Sequence, residues 1–153
     1  MATLILMVGL PGSGKSTWAE QYKNKYTTEN VVICSSDAKR DELYGDASIL
    51  GNTNKIMKAV EEDIMTVLQN DGTAIYDATN GTVAKRRLVL SRFKRQLPDI
   101  HTVCVYCQAS PQTCIERQAN RARKVPADAI YQMAKYMTIP SKLEGWDEVI
   151  YVH

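Results

Sequence analysis

The chain has 153 residues, 44% hydrophobic and 24% charged, enough for one core and close to the composition of ordinary soluble domains, which excludes fibrous and disordered classes. A formal charge of +2 excludes a nucleic-acid binder that works by net charge alone, so any polyanion surface has to come from clustered Lys and Arg. With no run near the roughly 20 apolar residues that span a bilayer, and with its four cysteines, the expectation is one cytoplasmic domain over residues 1–153, without signal peptide, membrane anchor, structural metal or disulfide.

The first predicted element is a strand over Thr3–Val8, which runs directly into Gly9-Leu10-Pro11-Gly12-Ser13-Gly14-Lys15-Ser16-Thr17. This segment meets the G-x-x-x-x-G-K-[ST] pattern in full, between a strand and a predicted helix over Lys15–Tyr22. Gly9, Gly12 and Gly14 let the backbone turn its N–H groups inward around an anion, with Pro11 and Ser13 between them, and the helix start adds positive dipole. Lys15 is expected to reach the β and γ phosphates of ATP, Ser16 to offer a hydroxyl to Mg²⁺, and Thr17 to approach the α-phosphate.

A second strand, Asn30–Cys34, leads to Ser35-Ser36-Asp37 and a helix over Asp37–Tyr44. Asp37 is placed to accept a proton from an attacking hydroxyl, and equally to cap the helix behind it. Arg40, one turn on, can clamp an anionic acceptor group or stand solvated. Ile56, Ala59, Val60, Ile64, Val67 and Leu68 give a 3.6-residue core stripe to a helix over Asn54–Gln69. A third strand, Thr73–Tyr76, ends in Asp77-Ala78-Thr79-Asn80-Gly81, where Asp77 is a metal or substrate partner, or a turn former, and Asn80 shares its polar cluster. The next helix, Val83–Gln96, carries Lys85, Arg86, Arg87, Arg92, Lys94 and Arg95 without an acid, a patch that either tracks a phosphate backbone or is a solvated face.

A fourth strand, Ile100–Cys107, holds Cys104 and Cys107, whose spacing puts them on opposite faces and makes shared metal ligation awkward. A helix over Pro111–Asn120 carries Arg117, and Arg121 and Arg123 follow it before a helix over Pro126–Tyr136, cations at a short break that can close over a transferring phosphoryl group, or form a basic turn. A fifth strand is predicted over Glu148–Val152. The alternation predicts an α/β, three-layer P-loop NTPase fold: a five-stranded parallel sheet with helices on both faces, a short helical lid, and ligands beyond the carboxyl ends of the strands.

Taken together, the loop over residues 9–18, Ser-Ser-Asp with Arg40, Asp-Ala-Thr-Asn with Arg86-Arg87, and Glu-Arg-x-x-x-Arg before Val-Pro resemble the polynucleotide 5′-hydroxyl kinase family. The match runs through Glu144-Gly145-Trp146-Asp147-Glu148-Val149. The resemblance implies the adenylate-kinase-like P-loop fold, ATP with Mg²⁺ on the loop lysine and serine, Asp37 as general base, Arg40 on the acceptor's phosphate and Arg121 on the nucleotide phosphates. It also implies a 5′-hydroxyl end of DNA or RNA as partner, with Asp77, Asn80, Arg86 and Arg87 on the substrate side. Stand-alone P-loop kinases, including zeta-toxin-like and small-metabolite kinases, share the loop and the aspartate. A sugar or nucleotide-sugar hydroxyl as acceptor, or a non-catalytic ATP-binding switch, are the alternatives.

Overall fold

The computed structural model describes residues 2–45, 53–119, 121 and 125–153. Five parallel strands, β1 (Thr3–Val8), β2 (Val31–Ser35), β3 (Thr73–Asp77), β4 (His101–Cys107) and β5 (Glu148–Val152), join in the order β2-β3-β1-β4-β5. The register Leu4↔Ala74, Leu4↔Thr102, Cys34↔Tyr76 and Val105↔Ile150 ties the four ladders into one sheet. Around it run α1 (Lys15–Lys25), α2 (Ser36–Tyr44), α3 (Thr53–Gln69), α4 (Val83–Gln96), α5 (Pro111–Gln118), α6 (Ala127–Tyr136) and a 3-10 turn over Lys142–Glu144.

Strand alternation divides the core in two. Leu4, Leu6 and Val8 of β1, with Ala74, Tyr76 and Cys104, face the stripe of Ile56, Val60, Ile64 and Leu68 on α3 and Val89, Leu90 and Phe93 on α4. Ile5, Met7, Ile75, Val105 and Cys107 face the other way, under Trp18, Ala19 and Tyr22 of α1 and Tyr26 just after it. Cys104 and Cys107 thus lie on opposite faces, both buried and free. A third cluster, Leu10 with Cys114 and Ile130, seats α5 and α6.

The strand and helix order follows the sequence expectation, and the ends shift for local reasons. Ser35, not Ser36 or Asp37, caps α2: its hydroxyl accepts from the Ala38 N–H at 2.9 Å, so Asp37 lies inside the first turn. Helix α1 extends to Lys25, where Trp18 stacks on Tyr22, Tyr22 meets Tyr26 at a tilt, and Lys23 and Lys25 complement the carboxyl-end dipole. Among the described residues, no helix is long and apolar enough to cross a membrane.

Candidate active site

The order β3-β1-β4 places the end of β1 at the point where the chain switches sides of the sheet, and a cleft of about 1090 Å³ opens beyond it. Pro11, Gly12, Ser13, Gly14, Lys15, Ser16 and Thr17 form its floor. Gly14 stands before α1 at φ 100° and Gly12 at φ 86°, left-handed conformations open to glycine. A β-carbon on Gly12 would come within 2.7 Å of the Cys114 carbonyl, so α5 packs directly on the loop. Gly9 stands behind the loop and donates its N–H to the Thr79 carbonyl at 3.1 Å, linking the end of β1 to the turn after β3.

Lys15 is nearly buried and donates to the Leu10 carbonyl at 3.0 Å. Burial holds its ammonium below the ordinary lysine range, opposed by the carboxylates of Asp77 and Asp37. The Ser16 hydroxyl donates to Asp77 at 2.8 Å, bringing together two residues 61 positions apart. Across the cleft, Asp37 accepts from the Arg40 guanidinium at 3.0 Å on the first turns of α2, and both line the cavity with Ser35 and Ser36. Arg117 at the end of α5 reaches to 3.5 Å from the Gly12 carbonyl, and Arg121 lines the same cavity. Arg123 lies outside the described residues.

Three expected substrate residues are not in this cavity. Asn80 is fully buried, its amide donating to the Met7 carbonyl at 2.9 Å. Arg86 is also fully buried, paired with Glu144 at 2.8 Å, so an acceptor arriving from solvent cannot meet it. Arg87 points away on the exposed side of α4. The basic patch on α4 is broken up in the same way. Arg92 is bound by Glu61 at 2.7 Å, and burial holds Lys85 below the ordinary lysine range, with Glu61 opposing and Arg92 and Arg40 reinforcing that shift. Conversely, Trp18, Gln21, Thr79, Val152 and His153 line the cleft without having been singled out in the sequence. Trp18 had a signal, since it follows Thr17 directly, and Val152 and His153 a weaker one, since they stand at the carboxyl end of the predicted fifth strand, the edge of the sheet where ligands are expected.

A family model described as an AAA domain, AAA_33, matches residues 4–140. The chain belongs to the AAA_33 family. An L-seryl-tRNA(Sec) kinase of Methanococcus maripaludis is similar to this AAA_33 chain, 28% identical over 152 residues that cover 94% of the chain and 56% of that protein. The chain thus spans about half the length of the curated relative it matches. Among solved structures, it resembles the Pnkp1/Rnl/Hen1 RNA repair complex at TM-score 0.72 and 22% identity, covering 91% of this chain and 48% of that one. It also resembles a fungal RNA kinase at TM-score 0.73 and 12% identity, covering 100% of this chain and 38% of that one. At these identities the solved structures bear on the fold. The AAA_33 chain has a P-loop kinase-like α/β fold built on a five-stranded parallel sheet.

Proposed function

We propose that this domain transfers the γ-phosphoryl group of ATP to a hydroxyl carried on a nucleic acid, with the 5′-hydroxyl end of a DNA or RNA strand as acceptor. The observation that carries this reading is the placement of Asp37 and Arg40 across one cavity from Lys15 and Ser16, a base with an anion-binding arginine facing the phosphate loop. Asp37 takes the proton of the attacking hydroxyl as its oxygen bonds to the γ-phosphorus. The bond from that phosphorus to the bridging oxygen breaks, and ADP leaves with the electron pair. Arg40 holds a phosphate of the acceptor strand, while Lys15, Arg117 and Arg121 balance charge on the transferring group.

Ser16 and Asp77 suit magnesium. Hydroxyl and carboxylate oxygens are hard donors, they meet on the cleft wall at 2.8 Å, and an ion held mainly by phosphates and water needs few protein carboxylates. When bound with ATP, Mg²⁺ neutralises charge on the β and γ phosphates.

A second reading has one specific support. The Methanococcus maripaludis relative is named as a kinase of L-seryl-tRNA(Sec), whose acceptor hydroxyl is the seryl group of an aminoacylated tRNA. The deciding experiment offers γ-labelled ATP to 5′-hydroxyl DNA and RNA oligonucleotides, to seryl-tRNA, and to sugar acceptors in parallel. Label on the oligonucleotides, falling as salt rises, is the expected result. Label on seryl-tRNA alone moves the acceptor to the second reading, and label on sugars alone overturns the nucleic-acid reading.

A further inference from the structure

Arg86 offers nothing to the cleft, yet it is among the most thoroughly buried charged groups in the molecule. Its Nε and Nη2 donate to the two oxygens of Glu144, each at 2.8 Å, Nη2 also to the Thr138 hydroxyl at 3.0 Å, and Nη1 to the Asn80 carbonyl at 3.1 Å. Glu144 has a side chain only 4% exposed and accepts as well from the Trp146 indole at 3.1 Å. Burial works to raise its carboxyl, and the Arg86 and Trp146 hydrogen bonds hold it below the ordinary carboxylate range all the same.

A buried ion pair seldom stabilises more than a well-packed apolar pair of the same volume, so packing α4 against the 3-10 turn does not by itself call for one. What the guanidinium adds is a fixed fork that can hold a carboxylate with two nitrogens and a main-chain carbonyl with the third. The carbonyl it holds belongs to Asn80, which stands in the left-handed region at φ 46°. The Asn80 amide donates to Met7 on β1, and Thr79 beside it accepts from Gly9 at the entry of the phosphate loop. The Thr138 N–H donates to Gly81 at 2.8 Å, bringing the stretch after α6 to the same turn. Asp77 is the last residue of β3 before this turn, and its carboxylate meets Ser16.

We propose that Arg86, with Glu144 as its counter-ion, is a positioning residue for magnesium: it locks the turn over residues 78–81 and so fixes Asp77 opposite Ser16. The proposal rests on the reading of Ser16 and Asp77 as the metal side of the cleft. Segment 138–146 thereby supports the metal side although none of its residues lines the cavity.

The test uses the full chain, with ATP binding followed by calorimetry in EDTA and at rising Mg²⁺, turnover against Mg²⁺, and thermal melting. Arg86→Lys shortens the fork while keeping the charge. The double variant Arg86→Met with Glu144→Met removes the link without stranding a buried charge, and decides the matter where Arg86→Lys alone does not fold. Both are expected to raise the Mg²⁺ concentration at half-maximal ATP binding and turnover by ~10-fold, the scale on which supporting groups around a metal act, with ATP affinity in EDTA unchanged. A lowered melting temperature with an unmoved Mg²⁺ half-point would show a structural pair only and overturn the proposal. Asp77→Asn separates the two readings: if it too leaves the half-point in place, the metal assignment itself is wrong, and the proposal falls with it.

Discussion

The phosphate loop and helix α4 are both dense in residues that suggest phosphate chemistry, and they meet different fates. In the loop, Gly12, Gly14, Lys15 and Ser16 line one cavity, on a turn that consecutive residues define among themselves, while Gly9 stands behind it with its N–H on Thr79. On α4 the six cations are divided by partners far away in the chain. Arg86 goes to Glu144, 58 residues on, Arg92 to Glu61, 31 residues back, and Arg87 and Arg95 remain exposed. A site made of backbone is written locally, whereas the meaning of a charged side chain depends on what the fold brings to it.

Between these two regions, the larger effect on turnover should come from the loop. Lys15→Met is expected to lower phosphoryl transfer by ~10²–10³-fold, the cost of one preorganised charge, while melting stays level or rises because a buried ammonium has been replaced by an apolar chain. A large fall in melting temperature would show that Lys15 serves the fold as well. On α4 the order reverses. Arg86→Ala leaves Glu144 buried without a partner and should lower unfolding free energy by about 3–5 kcal/mol in urea titration, whereas Arg87→Ala should stay within about 0.5 kcal/mol. Similar losses for both would contradict the division of the helix into one buried and one solvated cation.

That division also marks how far the sequence could be read. The strand order along the chain, the stripe of Ile56, Val60, Ile64 and Leu68, and the loop were legible because periodicity and backbone spacing are local quantities. Asp37 was legible as a residue at a strand end, and its placement in the cleft with Arg40 is a matter of one helical turn. Arg86 and Asn80 were misread as substrate contacts because a cation on a basic helix and an asparagine in a polar turn carry no mark of burial. The Glu144 and Met7 partners that decide their roles lie on other elements.

The smallest effect concerns the buried thiols. Burial pushes Cys34 and Cys107 up to about 11 and Cys104 to about 12, from 9.0. Because the folded values lie above the unfolded one, the protonated thiols contribute stability in full below about pH 9, and lose it as pH climbs towards 11. Native protein should resist iodoacetamide near neutral pH and react fully in urea; rapid native labelling would contradict the buried placement on either face of the sheet.

The central claim is that one cleft separates donor binding on the phosphate loop from proton removal on α2. It is tested most directly by Asp37→Asn, with ATP affinity measured by calorimetry and label transfer to a 5′-hydroxyl oligonucleotide measured on the same preparation. The account predicts ATP affinity within about twofold of the parent and transfer lowered by ~10²–10⁴-fold. Unchanged transfer, or loss of ATP binding in step with activity, would contradict it.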